Sequence, residues 1–168
     1  MHLLSLNLIC TRMYSVCLSV SSFELQRHRP LHTTLPGANV TITDREPALE
    51  FLSANVKANV PPDHQGSVTV SELTWGQNLE RYPAGGFDLV LGADIVYLED
   101  TFTALLHTMQ HLCSDTSVVL LACKIRYERD TKFLDMLRQH FGVEEVYYES
   151  QKDIHVYKAT KLPSRRDL

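Results

Sequence analysis

Residues that could do chemistry fall at three places along the chain. Asp44 closes the β-branched run AlaAsnValThrIleThr at 38–43. Trp75, the single tryptophan, follows SerValThrValSerGluLeuThr at 67–74. Asp94 and Tyr97 lie in GlyAlaAspIleValTyr at 92–97, where a largely apolar run ends. A carboxylate at a strand end can accept both hydroxyls of a nucleoside ribose. The same Asp44 could instead cap the helix that begins beside it. The Trp75 indole could pack against a purine, or sit half-buried as an ordinary strand-end aromatic.

Asp94 is the sharper case. Ala93 is small enough to let a ligand approach the backbone, and the carboxylate then emerges from an apolar strand onto a loop. There it can orient a nucleophilic amine through a charge-assisted hydrogen bond, with Tyr97 as a wall of the same pocket. The competing reading is an N-cap for the helix expected at 99–113, a task for which Glu99 and Asp100 stand nearer. His107 and His111 are four apart on that helix and could face one metal. No third ligand and no HExxH pattern accompanies them, so a packed or solvated pair and no metal site are expected. Lys124, Arg126 and Arg129 read as a solvated charge run. The sequence holds no GxSxG, no Walker loop and no Cys–His pairing with a recognisable motif.

The elements that must position these residues alternate regularly after Gly37. The strand at 38–43 precedes a helix that starts near Pro47, buries Leu49, Leu52 and Val56 on one face, and stops at Pro61-Pro62. A second strand spans 67–74, and 87–93 is a largely apolar run of the kind found in a buried parallel strand. Phe102, Leu105, Leu106, Met109 and Leu112 recur at helical spacing. A strand at 117–123, a helix at 128–141 and two strands at 143–149 and 154–159 complete the order. This pattern predicts an α/β sheet with right-handed crossovers, closed by an antiparallel strand pair.

Composition sets the outer bounds. The 168 residues suit one domain. With 44% hydrophobic and 21% charged residues, neither a disordered nor a fibrous chain fits. Asp plus Glu number 20 against 16 for Lys plus Arg, which speaks against a basic nucleic-acid grip. No apolar run approaches the roughly 20 residues needed to span a bilayer, so no membrane partner is expected. Four cysteines without metal-ligand spacing point to a reducing compartment, and the cytoplasm is the expected location. The opening stretch lacks the positive n-region and cleavage site of a signal peptide.

From Ala38 onward the chain resembles the seven-strand protein-lysine methyltransferases of the methyltransferase-like 21 family. The carrying stretches are ValThrIleThrAspArg (40–45), GluLeuThrTrpGlyGln (72–77), PheAspLeuValLeuGlyAlaAspIleValTyrLeuGlu (87–99) and LeuLeuAlaCysLysIleArgTyrGluArg (120–129). Among them Asp94–Tyr97 forms the DxxY element of that family. The resemblance implies a Rossmann-like methyltransferase fold and transfer of methyl groups from S-adenosyl-L-methionine to a lysine amine of heat-shock protein 70 family chaperones. It implies that Asp44 holds the cofactor ribose, that Trp75 and Ala93 line the adenine and sulfonium side, and that Asp94 and Tyr97 position the incoming lysine.

One part of the family pattern is not met. Members carry a first strand, a glycine-rich turn and an upstream tryptophan ahead of the Asp44 strand. Here residues 1–37 hold a single glycine, Gly37, and no tryptophan. The fold is therefore expected to be incomplete, with its first strand and glycine turn missing or replaced and MetTyrSerValCysLeuSerVal (13–20) as the candidate substitute strand. The expected organisation is a divergent segment 1–37, open to disorder, a partial methyltransferase domain at 38–160 and a polar tail at 161–168. Weak cofactor binding and impaired activity follow; the alternative is a catalytically silent form that still binds chaperone.

Overall fold

The computed structural model describes residues 38–163 and, ahead of them, the backbone of the strand Ser15–Val20. That strand, β1, is followed by β2 (Asn39–Asp44), helix α1 (Leu49–Asn59), β3 (Val68–Glu72) and β4 (Phe87–Ala93). Helix α2 (Phe102–Leu112), β5 (Cys113–Cys123), α3 (Glu128–Arg138), β6 (Phe141–Glu149) and β7 (Ile154–Lys161) complete the order. The strands form one seven-stranded sheet in the order β3-β2-β1-β4-β5-β7-β6. All neighbours run parallel except the β5/β7 and β6/β7 pairs, which are antiparallel.

The gap expected beside the Asp44 strand is closed. β1 pairs with β2 on one side, Ser15 opposite Asn39, and with β4 on the other, Val16 opposite Leu89. The first-strand slot is thus filled by the candidate substitute, and neither neighbour is left with an open edge. This strand lies ahead of the boundary expected at residue 38, and β7 runs one residue into the stretch read as a tail. The place where a glycine-rich turn would lie, between β1 and β2, falls outside the described residues.

Each face of the sheet carries its own core, and the period of the strands decides which residue goes where. In β4, Val90 joins Val119, Leu121, Tyr157 and Ala159 beneath the apolar faces of α2 and α3. Leu89, Leu91 and Ala93, one step out of phase, pack toward Val40 and Ile42 of β2 and Leu52 and Val56 of α1. Burial on both faces explains why the sequence of β4 is almost unbroken in its apolarity. The order also places β1 and β4 side by side at the centre. There the crossovers change direction, opening a crevice at the carboxyl ends of the strands where open α/β sheets bind ligands.

Candidate active site

Asp44 is the last residue of β2 and stands at that carboxyl edge, half-buried, opposite Glu72 at the end of β3. Its Oδ1 accepts a 2.7 Å hydrogen bond from the Arg45 N–H. Its Oδ2 is buried and has no hydrogen-bond partner among the described residues. Desolvation raises its pKa above the usual carboxylate value, offset in part by the Arg45 N–H and the Arg45 charge. The capping role does not apply: neither the short 3-10 turn Glu46–Ala48 nor α1 receives a side-chain cap. Glu72, by contrast, is engaged by Arg81 at 3.2 Å, and its backbone carbonyl accepts from the Tyr82 hydroxyl at 2.6 Å. Asp44 therefore offers an unused buried acceptor, the requirement for a ribose hydroxyl.

Trp75 sits three residues beyond β3, half-buried and packed against the core beneath α2. Its loop is pinned from the helix side. The buried Thr108 hydroxyl accepts from the Gly76 N–H at 2.8 Å and donates to the Ala104 carbonyl at 2.8 Å. Gly76 has φ 75°, and a Cβ there would lie 3.0 Å from the Ala104 Cβ, so both conformation and space require glycine.

Ala93 ends β4, and Asp94 turns the chain with φ 55° while its N–H donates to the Ala122 carbonyl at 2.9 Å. The turn folds Ile95 back over Gly92, where any Cβ would meet Ile95 at 2.5 Å. Asp94 is left half-buried at the sheet edge, with a carboxylate that makes no hydrogen bond among the described residues. It caps nothing: the α2 cap is Thr101, which supplies no side-chain bond to the helix. Tyr97 is 37% exposed on the same loop. The neighbouring Cys123 thiol is pushed up to about 12 by burial, then by the Asp130 and Asp94 carboxylates. Burial likewise pushes Cys113 up to about 11, so neither thiol supplies a nucleophilic thiolate at neutral pH.

One residue escaped the sequence reading. Asp130 is buried, and its Oδ2 accepts the N–H of Arg126 at 2.8 Å and of Tyr127 at 3.0 Å. It thereby fixes the loop that leaves β5 beside Asp94. The signal was an acid three residues after Tyr127, at the third position of α3, where it can bond backward to the cap. Of the charge run, Arg126 and Arg129 are exposed while Lys124 is half-buried, and the Arg129 guanidinium lies 4.6 Å from the Tyr127 ring. His111 Nε2 is bonded to the Tyr82 carbonyl at 2.8 Å, and no group of metal-ligating residues occurs among the described residues. Among the same residues no helix is long and apolar enough to cross a membrane.

The strand order, parallel but for its final antiparallel pairs, is that of a Rossmann-like methyltransferase fold. The sheet superposes on a predicted O-methyltransferase from Agrobacterium tumefaciens with TM-score 0.62, at 14% identity, covering 90% of this chain and 75% of that one. Residues 27–140 match the model of the lysine methyltransferase family, and the chain belongs to that family. It is 66% identical over 134 residues to protein N-lysine methyltransferase METTL21A of Danio rerio, a match covering 80% of this chain and 62% of the relative. The METTL21A of Mus musculus is 62% identical over the same shares. The chain thus spans about three-fifths of the length of these curated relatives. A TehB-like methyltransferase from Corynebacterium glutamicum, named as dependent on S-adenosyl-L-methionine, also shares the fold, with TM-score 0.59 at 11% identity over 91% of this chain and 83% of that one.

Proposed function

We propose that this chain is a protein-lysine N-methyltransferase domain that takes its methyl group from S-adenosyl-L-methionine, works in the cytoplasm and acts on heat-shock protein 70 family chaperones. The observation that carries the reading is the buried Asp44 Oδ2, without a hydrogen-bond partner among the described residues, at the carboxyl end of a strand next to the β1/β4 crevice. A ribose hydroxyl satisfies that oxygen, while the Trp75 indole and the small Ala93 leave room for the adenine and sulfonium side. When bound, the cofactor supplies an electrophilic methyl group.

Asp94 and Tyr97 serve the other reactant. A lysine of ordinary pKa, about 10.4, is mostly protonated and non-nucleophilic at neutral pH. The amine must lose a proton, and its lone pair must then line up with the methyl–sulfur bond, a demand of geometry first. The Asp94 carboxylate, free of hydrogen bonds among the described residues, accepts from the amine N–H and tolerates the methylated cation that results. It orients the amine, whose proton passes to water before the lone pair attacks.

The chain's own sequence argues for impairment: between β1 and Gly37 no glycine is present to let backbone amides approach the cofactor's methionine portion. The same feature supports a second reading, a silent form that binds chaperone without methylating it. Radiolabelled methyl transfer to purified chaperone of the heat-shock protein 70 class separates the two. The enzyme reading expects slow incorporation that disappears in Asp94→Ala. Incorporation no greater than that of the variant leaves the silent form.

A further inference from the structure

A groove lies between the loop leaving β4 and the first turns of α3, lined by Glu99, Glu128, Arg129, Thr131, Lys132 and Asp135. Its Glu99 lies two residues beyond Tyr97 on the chain that leaves β4. Residues next to its lining in sequence include three exposed side chains of substantial apolar area: Tyr97, Leu98 at 49% exposure and Tyr127 at 60%. The Lys132 ammonium crosses the groove and bonds Glu99. Asp135 is held by Arg138 at 2.8 Å, and Arg129 rests over the Tyr127 ring. Glu128 and Asp100, like Lys124 and Arg126, have no ion pair among the described residues, and the groove lining itself holds three carboxylates against two cations. The hydrogen bond and charge of Glu99, with Glu128 a weaker contributor, raise the pKa of Lys132.

We propose that this groove receives the stretch of substrate polypeptide beside the target lysine, and that a Lys or Arg of that stretch displaces Lys132 from Glu99. This rests on the lysine methyltransferase reading. Lys132 and Glu99 are both largely exposed, and pairs of that kind contribute little to stability, so exchange of one cation for another is easy. Leu98 and Tyr127 supply the apolar contact that a polypeptide needs and a free ion does not. Asp130, by holding the Arg126 and Tyr127 amides, keeps one wall of the groove in place before the substrate arrives.

The test is fluorescence anisotropy of short labelled peptides with a central lysine, flanked by arginines or by glutamates, titrated with the full 168-residue chain. The arginine-flanked peptide should bind more tightly. Removing the internal competitor in Lys132→Ala should tighten it further, and Glu99→Gln should weaken it, each roughly two- to fivefold. Tyr127→Ala should weaken it as well, while Tyr147→Ala on β6 leaves it unchanged. Opposite signs from the two members of one ion pair cannot come from a loss of folding, which would act in the same direction for both. Equal binding of the two peptides, absence of binding, or weakening by Lys132→Ala overturns the proposal. These titrations contain no cofactor, so their failure and a failure of cofactor binding are read separately.

Discussion

Asp94 holds a left-handed backbone at φ 55°, a conformation in which glycine is unstrained and any other residue carries a cost. Asp94→Gly should therefore leave the fold intact or raise its stability by about 1 kcal/mol, while removing the carboxylate that orients the amine. Urea denaturation together with methyl transfer checks this; a variant that is both less stable and still active contradicts it. Asp44 raises the opposite question, because burial lifts its pKa above the ordinary value. A group with a raised folded-state pKa contributes stability that is complete below its unfolded pKa and is lost as pH climbs through the folded one. Asp44→Asn should accordingly melt higher than the parent at neutral pH, with the difference vanishing in acid, and should bind cofactor less well. Thermal melts across that pH range give the sign. Both carboxylates were visible in the sequence because each ends an apolar or β-branched run. The backbone strain at Asp94 was not, since nothing in the residue type announces a positive φ.

The elements owe their positions to side chains that no periodicity reveals. Thr108 looks like a buried helical residue, yet its hydroxyl secures the Gly76 amide and with it the loop of Trp75. Thr108→Val should cost about 1 kcal/mol by leaving that amide unsatisfied. Because Trp75 is the single tryptophan, its fluorescence emission should shift to the red as the loop loosens. Unchanged emission and stability would show that the brace is dispensable. The run 87–93 was legible to the residue because β4 is buried on both faces. β5 was read as starting at Ser117 and in fact begins at Cys113, its polar opening CysSerAspThr masking the extended chain. The helix expected at 99–113 begins as the 3-10 turn Glu99–Thr101 before α2 starts at Phe102. Propensity cannot tell those two windings apart.

For the whole molecule, alternating strand and helix patterns predicted six strands in an α/β sheet with an antiparallel final pair, and the seventh was implied by the family resemblance; the sheet has seven strands, and the final pair is antiparallel. The central place of Ser15–Val20 was the weakest inference, because a short β-branched run carries no signal of its neighbours. Pairing with β2 and β4 supplies what local sequence lacks. A complete strand count does not make a complete cofactor cradle, and the absence of glycine between β1 and Gly37 separates this chain from the family pattern. Binding at the carboxyl ends of the strands, anchored on Asp44, is the claim on which the functional reading depends. Calorimetric titration of S-adenosyl-L-methionine into the purified chain and into Asp44→Ala tests it most directly. The expected result is saturable binding weaker than low-micromolar in the parent and none in the variant; equal binding by both proteins would contradict the site.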